Sequence, residues 1–202
     1  MKNPEKIIFL PGATGRADFW QPMSDHVNHP AQRKLLGWPG FGDVPARSDV
    51  QGFDGLVDLV LAEIDRPCAL VAQSMGGAVA LRAALARPAL VTHLVLCVTS
   101  GGVDMAGVGA QDWRPDFFAA NPSLPRWFES YAEDLAPRLG AVTAPALLLW
   151  GDNDPISPVA VGQRLQGLLP NARLHMHPGG GHDLAHRHAQ VLAPLVDAHL
   201  RG

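Results

Sequence analysis

Short apolar runs alternate with longer amphipathic stretches along the chain. The apolar runs predict strands over residues 6–10, 33–36, 68–73, 94–98, 146–150 and 172–177. Apolar residues at helical spacing predict helices over residues 18–27, 54–65, 76–87, 158–169 and 183–200. This alternation favours an α/β fold, in which helices cover both faces of a mainly parallel six-stranded sheet.

One segment, at about 101–142, interrupts the alternation and is too long for a plain crossover loop. It holds six of the 13 aromatic residues of the chain, namely Trp113, Phe117, Phe118, Trp127, Phe128 and Tyr131. Loops that follow the strands of such sheets often carry function. We therefore expect a single domain over 1–202 with this segment as a short helical cap, in which Trp113, Phe117 and Trp127 line a substrate pocket. The alternative is an ordinary pair of helices packed on the core.

The composition narrows the classes of function. Apolar residues make up 47% and charged residues 17% of the 202 positions, which argues against disorder. The formal net charge of -3 gives no basic face for nucleic acid. No apolar run reaches the ~20 residues that span a bilayer, so we expect a cytoplasmic protein with no membrane partner. Cys68 and Cys97 lie in apolar strands and lack CxxC partners, and we expect no metal and no cofactor.

The strongest chemical signal lies between the third predicted strand and the following helix. Ser74 stands there between Ala72 and Gly76, and small residues at these two positions permit the sharp, strained turn that lifts a serine hydroxyl above a sheet. The turn also directs backbone N–H groups at the start of the helix towards a reacting carbonyl. The alternative is that Ser74 only caps the helix.

The run from Gln73 to Gly77 resembles the nucleophile elbow of the α/β-hydrolase superfamily, and the chain resembles the small carboxylesterases of that superfamily that carry a cap. Ala72 stands where many members have glycine. The resemblance implies an oxyanion hole formed by the backbone N–H groups of Ala13, after the first strand, and Met75. The run from Trp38 to Gly42 resembles the loop after the next strand of the family, and we interpret it as a structural marker.

The resemblance also implies an acid and a base. Asp154 matches the carboxylate of the turn after the penultimate strand, with Asp152 and Asp104 as competitors. His182 follows three glycines on the loop after the last strand, where the family has its base. His186, His188 and His199 fall in the last predicted helix, where we expect them to face solvent. The order serine, acid, histidine is that of the family.

These residues support a serine hydrolase that cleaves a carboxylic ester of a small, partly apolar molecule through Ser74, His182 and Asp154. Two alternatives stay open. The same three residues can act on a C–C bond or a lactone, or in an elimination, because one scaffold hosts many reactions. The protein can also be a ligand-binding protein of the same fold, although the intact set of three residues counts against that.

Overall fold

The computed structural model describes residues 3–42 and 44–202, with the side chain of Ser130 excluded. Its strands are β1 (Lys6–Leu10), β2 (Gln32–Leu35), β3 (Cys68–Gln73), β4 (Val91–Cys97), β5 (Ala146–Gly151) and β6 (Ala172–His177). Its α-helices are α1 (Gln21–His26), α2 (Phe53–Glu63), α3 (Met75–Ala86), α4 (Arg114–Ala120), α5 (Val159–Leu168), α6 (Leu184–Arg187) and α7 (Ala189–Arg201). Short 3₁₀ helices cover Ala17–Trp20, Trp127–Ser130 and Ala136–Ala141.

The six strands form one parallel sheet in the order β2-β1-β3-β4-β5-β6, which confirms the predicted fold class. The residues of β1, β3 and β5 are all buried, as expected of strands covered on both faces. The chain runs from β1 outward to β2 and then returns past β1 to β3. The order of the strands therefore reverses between β1 and β3, and ligands of open α/β sheets bind in the crevice at such a point.

The helices divide between the two faces of the sheet because parallel crossovers are right-handed. The crossover through α1 runs in the opposite direction to those through α2, α3 and α5, which places α1 on the other face. The contacts agree, since α1 packs against α7 and α2 packs against α3. No helix of the described residues is long and apolar enough to cross a bilayer.

The long connection between β4 and β5 contains α4 and two 3₁₀ helices. Rings of this segment pack on one another and on the body of the fold: Trp113 is parallel to Phe128 at 6.1 Å between centroids, and Tyr131 stacks on Phe53 of α2 at 3.7 Å. Phe118 and Phe128 are buried. The segment therefore shares a continuous apolar core with the sheet and its helices.

Three elements differ from the prediction. The helix predicted over residues 18–27 is a 3₁₀ helix at Ala17–Trp20 followed by α1. Strand β4 begins at Val91, three residues before the predicted start, and its polar residue His93 is only 1% exposed. The last helix is broken at His188, which separates α6 from α7. Contrary to the expectation that it faces solvent, His199 packs against the sheet. It is half-buried, with its Nε2 atom 3.0 Å from the carbonyl oxygen of Leu94.

Candidate active site

Ser74 lies at the tight junction between β3 and α3. Its backbone has φ 51° and ψ −122°, a conformation that non-glycine residues rarely adopt. A Cβ atom on Gly76 would lie 2.5 Å from the carbonyl oxygen of Pro11 and 2.8 Å from that of Leu10, so only glycine fits there. Ala72 is fully buried. The small residues at these two positions therefore allow the strained turn that presents the Ser74 hydroxyl.

His182 lies on the loop between β6 and α6, and its Nε2 atom is 2.9 Å from Oγ of Ser74. The side-chain amide of Gln73 donates a hydrogen bond to the His182 carbonyl oxygen at 3.0 Å. The loop also approaches the end of β5, where a Cβ atom on Gly151 would lie 2.0 Å from the carbonyl oxygen of Gly180. These contacts hold the imidazole against the hydroxyl.

The carboxylate of Asp154 lies on the other side of the imidazole. Its Oδ2 atom is 2.7 Å from Nδ1 of His182, and the side chain of Asp154 is fully buried. Its Oδ1 atom accepts hydrogen bonds from the backbone N–H groups of Ile156 at 2.9 Å and Ser157 at 3.1 Å. These bonds offset the cost of burying the charge and fix the direction of the carboxylate.

The two competing carboxylates have other contacts. Oδ1 of Asp152 accepts a hydrogen bond from the backbone N–H of Gly179 at 2.6 Å, and so ties the histidine loop to the end of β5. Oδ1 of Asp104 accepts one from the backbone N–H of Ala106 at 3.0 Å. Among the interactions of the described residues, only Asp154 of these three carboxylates contacts the imidazole of His182.

The loop after β1 lies directly beside Ser74. A Cβ atom on Gly12 would be 3.0 Å from Cβ of Ser74 and 2.2 Å from Oε1 of Gln73. Ala13, the next residue, is partly exposed. Met75 is the first residue of α3, where the helix itself offers no acceptor for the backbone N–H. The loop and the helix start thus bring the Ala13 and Met75 peptides to the same serine.

A cavity of about 580 Å³ opens above Ser74 and His182. The acidic residues Asp104, Asp112, Glu133 and Asp134 line it, together with Arg114. Arg114 pairs with Asp112 at 3.1 Å. Of the other two arginines in the long connection, Arg126 pairs with Glu129 and Arg138 with Glu133. The wall is therefore acidic as well as aromatic, with Phe53, Trp113, Phe128 and Tyr131 contributing rings.

Only one of the three aromatic residues predicted for the pocket, Trp113, borders this cavity. Phe117 and Trp127 lie outside the described wall. Phe117 packs behind it against Trp113 at 5.2 Å, and Trp127 packs on Phe41 at 5.8 Å. Helix α4 and the 3₁₀ turn expose only part of their apolar surface to the cavity, and sequence spacing did not show which part.

Gln73 and Thr99 are contacts of the site that the sequence analysis missed. Gln73 is buried and reaches the histidine loop, and the Thr99 hydroxyl donates a hydrogen bond to the carbonyl oxygen of Ser74 at 2.5 Å. Each is a polar residue at or just after the end of a buried strand, and that position was the available signal.

The two cysteines are unpaired and buried, and burial raises the pKa of the Cys68 thiol to about 12. Within the described ranges, no cluster of side chains suits a metal ion.

A model of the Alpha/beta hydrolase family matches residues 7–143, and a second model, of the alpha/beta hydrolase fold, matches residues 119–189. The first match covers more than half of the chain. The protein therefore belongs to the alpha/beta hydrolase family, as its sheet and nucleophile turn suggested.

Among curated relatives, the chain is similar to a 2-hydroxy-6-oxononadienedioate/2-hydroxy-6-oxononatrienedioate hydrolase of Cupriavidus pinatubonensis, with 26% identity over 95% of this chain and 85% of the relative. It is 23% identical to a pimeloyl-[acyl-carrier protein] methyl ester esterase of Legionella pneumophila, over 90% of this chain and 89% of the relative. The expected resemblance to small esterases of the family is thereby confirmed.

Among solved structures, a 2-hydroxy-6-oxo-6-phenylhexa-2,4-dienoate hydrolase from Rhodococcus sp. strain RHA1 superposes with a TM-score of 0.82. It is 18% identical and covers 98% of this chain and 91% of that chain. The Rhodococcus protein and this chain therefore have the same fold. The alignment with the Cupriavidus relative spans 252 positions, more than the 202 residues present here, so the relative carries additional segments.

Proposed function

We propose that the protein is a serine hydrolase that cleaves a carboxylic ester of a small, partly apolar substrate. The observation that carries the proposal is the continuous chain of contacts from Oγ of Ser74 to Nε2 of His182 at 2.9 Å and from Nδ1 of His182 to Oδ2 of Asp154 at 2.7 Å. A hydroxyl, a base and an orienting carboxylate in this order form the constellation that makes serine a nucleophile.

In the first step, Oγ of Ser74 forms a bond to the ester carbonyl carbon and its proton passes to Nε2 of His182. The π electrons move to the carbonyl oxygen, which the backbone N–H groups of Ala13 and Met75 stabilise. When the tetrahedral intermediate collapses, the bond to the alcohol oxygen breaks and His182 returns the proton to that oxygen. Asp154 stabilises the imidazolium during both transfers.

The acyl-enzyme is then hydrolysed by the reverse use of the same groups. His182 takes a proton from water as the water oxygen bonds to the acyl carbon. The bond to Oγ of Ser74 breaks, and the serine recovers its proton from His182. The products are a carboxylic acid and an alcohol. We further propose that residues 101–142 act as the cap of this site, because their rings and carboxylates form one wall of the cavity.

The second candidate is hydrolysis of a C–C bond, which the named activity of the Cupriavidus relative favours. The charge of the cavity favours the ester. The relative is named for dioates, which carry two negative charges. Here four acidic residues and a single arginine belong to the described lining of the cavity, and the arginine is paired with Asp112. Glu133 is also paired, with Arg82 and Arg138 from outside the lining, but the lining itself has more acidic than basic residues. Like charges in a partly enclosed site repel, so a neutral ester suits this cavity better than a dianion.

The test is covalent labelling with a fluorophosphonate together with turnover of p-nitrophenyl butyrate. Ser74→Ala should abolish labelling and lower hydrolysis by about three to six orders of magnitude. Ser48→Ala, at an exposed position outside the site, is the matched control and should keep both. Turnover and labelling that persist in Ser74→Ala would refute the proposal. Turnover of a 2-hydroxy-6-oxononadienedioate, the compound for which the Cupriavidus relative is named, with no turnover of the butyrate ester would favour the C–C alternative.

A further inference from the structure

The two peptide units that supply the proposed oxyanion donors are anchored in the same way. The carbonyl oxygen of Gly12 accepts hydrogen bonds from the backbone N–H of Gly15 at 3.0 Å and from Nε1 of Trp38 at 3.1 Å. The carbonyl oxygen of Ser74 accepts hydrogen bonds from the backbone N–H of Gly77 at 3.0 Å and from Oγ1 of Thr99 at 2.5 Å. Each carbonyl thus has one donor three residues ahead and one side-chain donor distant in sequence.

These carbonyls belong to the peptide units whose N–H groups are those of Ala13 and Met75. No cis peptide bond occurs among the described residues, and in a planar trans peptide the C=O and N–H groups point in opposite directions. A donor that fixes the carbonyl therefore fixes the direction of the N–H on the other side. It also polarises the peptide, which makes the N–H a stronger donor.

We propose that Trp38 and Thr99 are positioning residues that aim the Ala13 and Met75 N–H groups at the oxyanion. This inference rests on the proposed serine hydrolase function and adds to it the two side chains that set the geometry of the oxyanion hole. Neither side chain touches the substrate, since both residues are almost fully buried behind the peptides they hold.

The environment of Thr99 supports a role in geometry beyond packing. Oγ1 of Thr99 also accepts a hydrogen bond from the backbone N–H of Gly101 at 2.9 Å, which leaves its proton directed to Ser74. A Cβ atom on Gly77 would lie 2.3 Å from the same Oγ1, so the hydroxyl is wedged against the first turn of α3. The preceding residue, Val98, has φ 40°, a strained conformation for a β-branched side chain.

Trp20 supplies a matched control for Trp38. It is also fully buried, and its Nε1 atom donates to the carbonyl oxygen of Leu10 at 2.8 Å, two residues before Gly12. The peptide unit of that carbonyl ends in the nitrogen of Pro11, which has no hydrogen. Trp20→Phe thus removes an equivalent buried hydrogen bond without affecting the direction of any N–H group in that unit.

The experiment compares Thr99→Val, Trp38→Phe and Trp20→Phe, with p-nitrophenyl butyrate as substrate and phenylboronic acid as the probe. The boronic acid bonds to Oγ of Ser74 and places a boron-bound oxygen at the oxyanion position. Thr99→Val and Trp38→Phe should each lower kcat by about 10-fold, with KM changed by less than about twofold. The dissociation constant of the boronate should rise by the same factor as kcat falls.

The controls separate positioning from stability. Thr99→Ser keeps the hydroxyl and should restore kcat and boronate affinity. Trp20→Phe should lower the melting temperature about as much as Trp38→Phe but leave kcat and boronate affinity at the wild-type values. Wild-type kcat and boronate affinity in Thr99→Val, or an equal loss of both in Trp20→Phe and Trp38→Phe, would overturn the inference. Wild-type hydrolysis and boronate binding that do not depend on Ser74 would instead refute the proposed function, and this inference with it.

Discussion

The side chain of Gln73 links Ser74 to His182, because its amide donates to the His182 carbonyl oxygen at 3.0 Å while its own backbone directly precedes Ser74. The two catalytic candidates lie 108 positions apart in the sequence. Among the described contacts, the hydrogen bond of this amide joins the end of β3 to the backbone of the loop that carries His182. It therefore restrains the distance between Oγ of Ser74 and Nε2 of His182.

The first prediction concerns this bond. Gln73→Leu keeps the volume of the side chain but removes the donor, so the histidine loop should sample geometries in which Nε2 is too far from the hydroxyl. We expect kcat/KM for p-nitrophenyl butyrate to fall by about 10-fold or more, because small misplacements of reacting groups are costly. Gln190→Leu, at an exposed site of α7, is the control. Wild-type kinetics in Gln73→Leu would show that other contacts suffice to hold the loop.

The second prediction ranks three carboxylates. Asp154→Asn should lower kcat by about 10,000-fold, because an amide favours the wrong tautomer of His182. Asp152→Asn should cost no more than about 10-fold, since the oxygen of the amide can still accept from the backbone N–H of Gly179. Asp104→Asn should have little effect on kcat. Steady-state kinetics of the three variants would settle the order, and a larger loss in Asp152→Asn than in Asp154→Asn would contradict it.

Local sequence was enough to predict the sheet and the nucleophile turn. Strands such as β3 and β5 are almost entirely apolar runs. The turn at Ser74 requires small residues on both sides, and the sequence shows them. Strand β4 was predicted too short because Thr92 and His93 interrupt its apolar pattern. His93 is nevertheless buried, and its Nδ1 atom lies 3.0 Å from the Thr92 hydroxyl. A hydropathy pattern therefore does not predict this part of the strand, because a polar side chain can be buried when it has a hydrogen-bond partner nearby.

The geometry of the site needed the structure for a different reason. The choice between Asp154 and Asp152 depends on which carboxylate points at the imidazole, and the two lie only two positions apart on one turn. The anchoring of the Ser74 carbonyl by Thr99 depends on the pairing of β3 with β4, which brings residues 25 positions apart into contact. Side-chain directions and strand neighbours of this kind are set by tertiary packing, and no spacing in the sequence encodes them.

The third prediction concerns stability in acid. Burial, together with the nearby His199 and His29, lowers the pKa of His93 from 6.5 to about 4. Burial also lowers the pKa of both of those histidines. The unfolded chain therefore binds protons at a higher pH than the folded protein does. Above pH 6.5 His93 is neutral in both states and does not reduce the free energy of unfolding. As the pH falls from 6.5 towards 4, the unfolded chain takes up a proton at His93 that the folded protein does not, and the free energy of unfolding decreases.

Urea unfolding at a series of pH values measures this effect. The free energy of unfolding should decrease on acidification through this range, by at most about 3 kcal/mol from His93 alone. His93→Phe should remove that part of the pH dependence, and it also removes a buried Nε2 atom that has no hydrogen-bond partner among the described residues. Gln190→Phe, at an exposed position of α7, controls for the added aromatic ring and should leave the pH dependence unchanged. An identical slope in wild type and His93→Phe would contradict the prediction.

The fourth prediction concerns the wall of the cavity. Trp113 borders the cavity above Ser74, whereas Phe117, on the same segment, packs behind it. Each methylene group of an acyl chain that is buried against the wall contributes about 0.8 kcal/mol, so KM for a butyrate ester should be about 10-fold lower than for the acetate. Trp113→Ala should reduce this difference to less than about threefold, because the apolar surface that receives the chain is lost.

Phe117→Ala is the matched control for this prediction. It removes an aromatic side chain of similar burial from the same segment, and should lower the melting temperature while it keeps the preference for the longer chain. The measurement is KM for p-nitrophenyl acetate, propionate and butyrate with each variant. A flat profile in the wild type would mean that the acyl group does not reach this wall. A preference that survives Trp113→Ala but disappears in Phe117→Ala would mean that the ring behind the wall, rather than the ring on its surface, shapes the site.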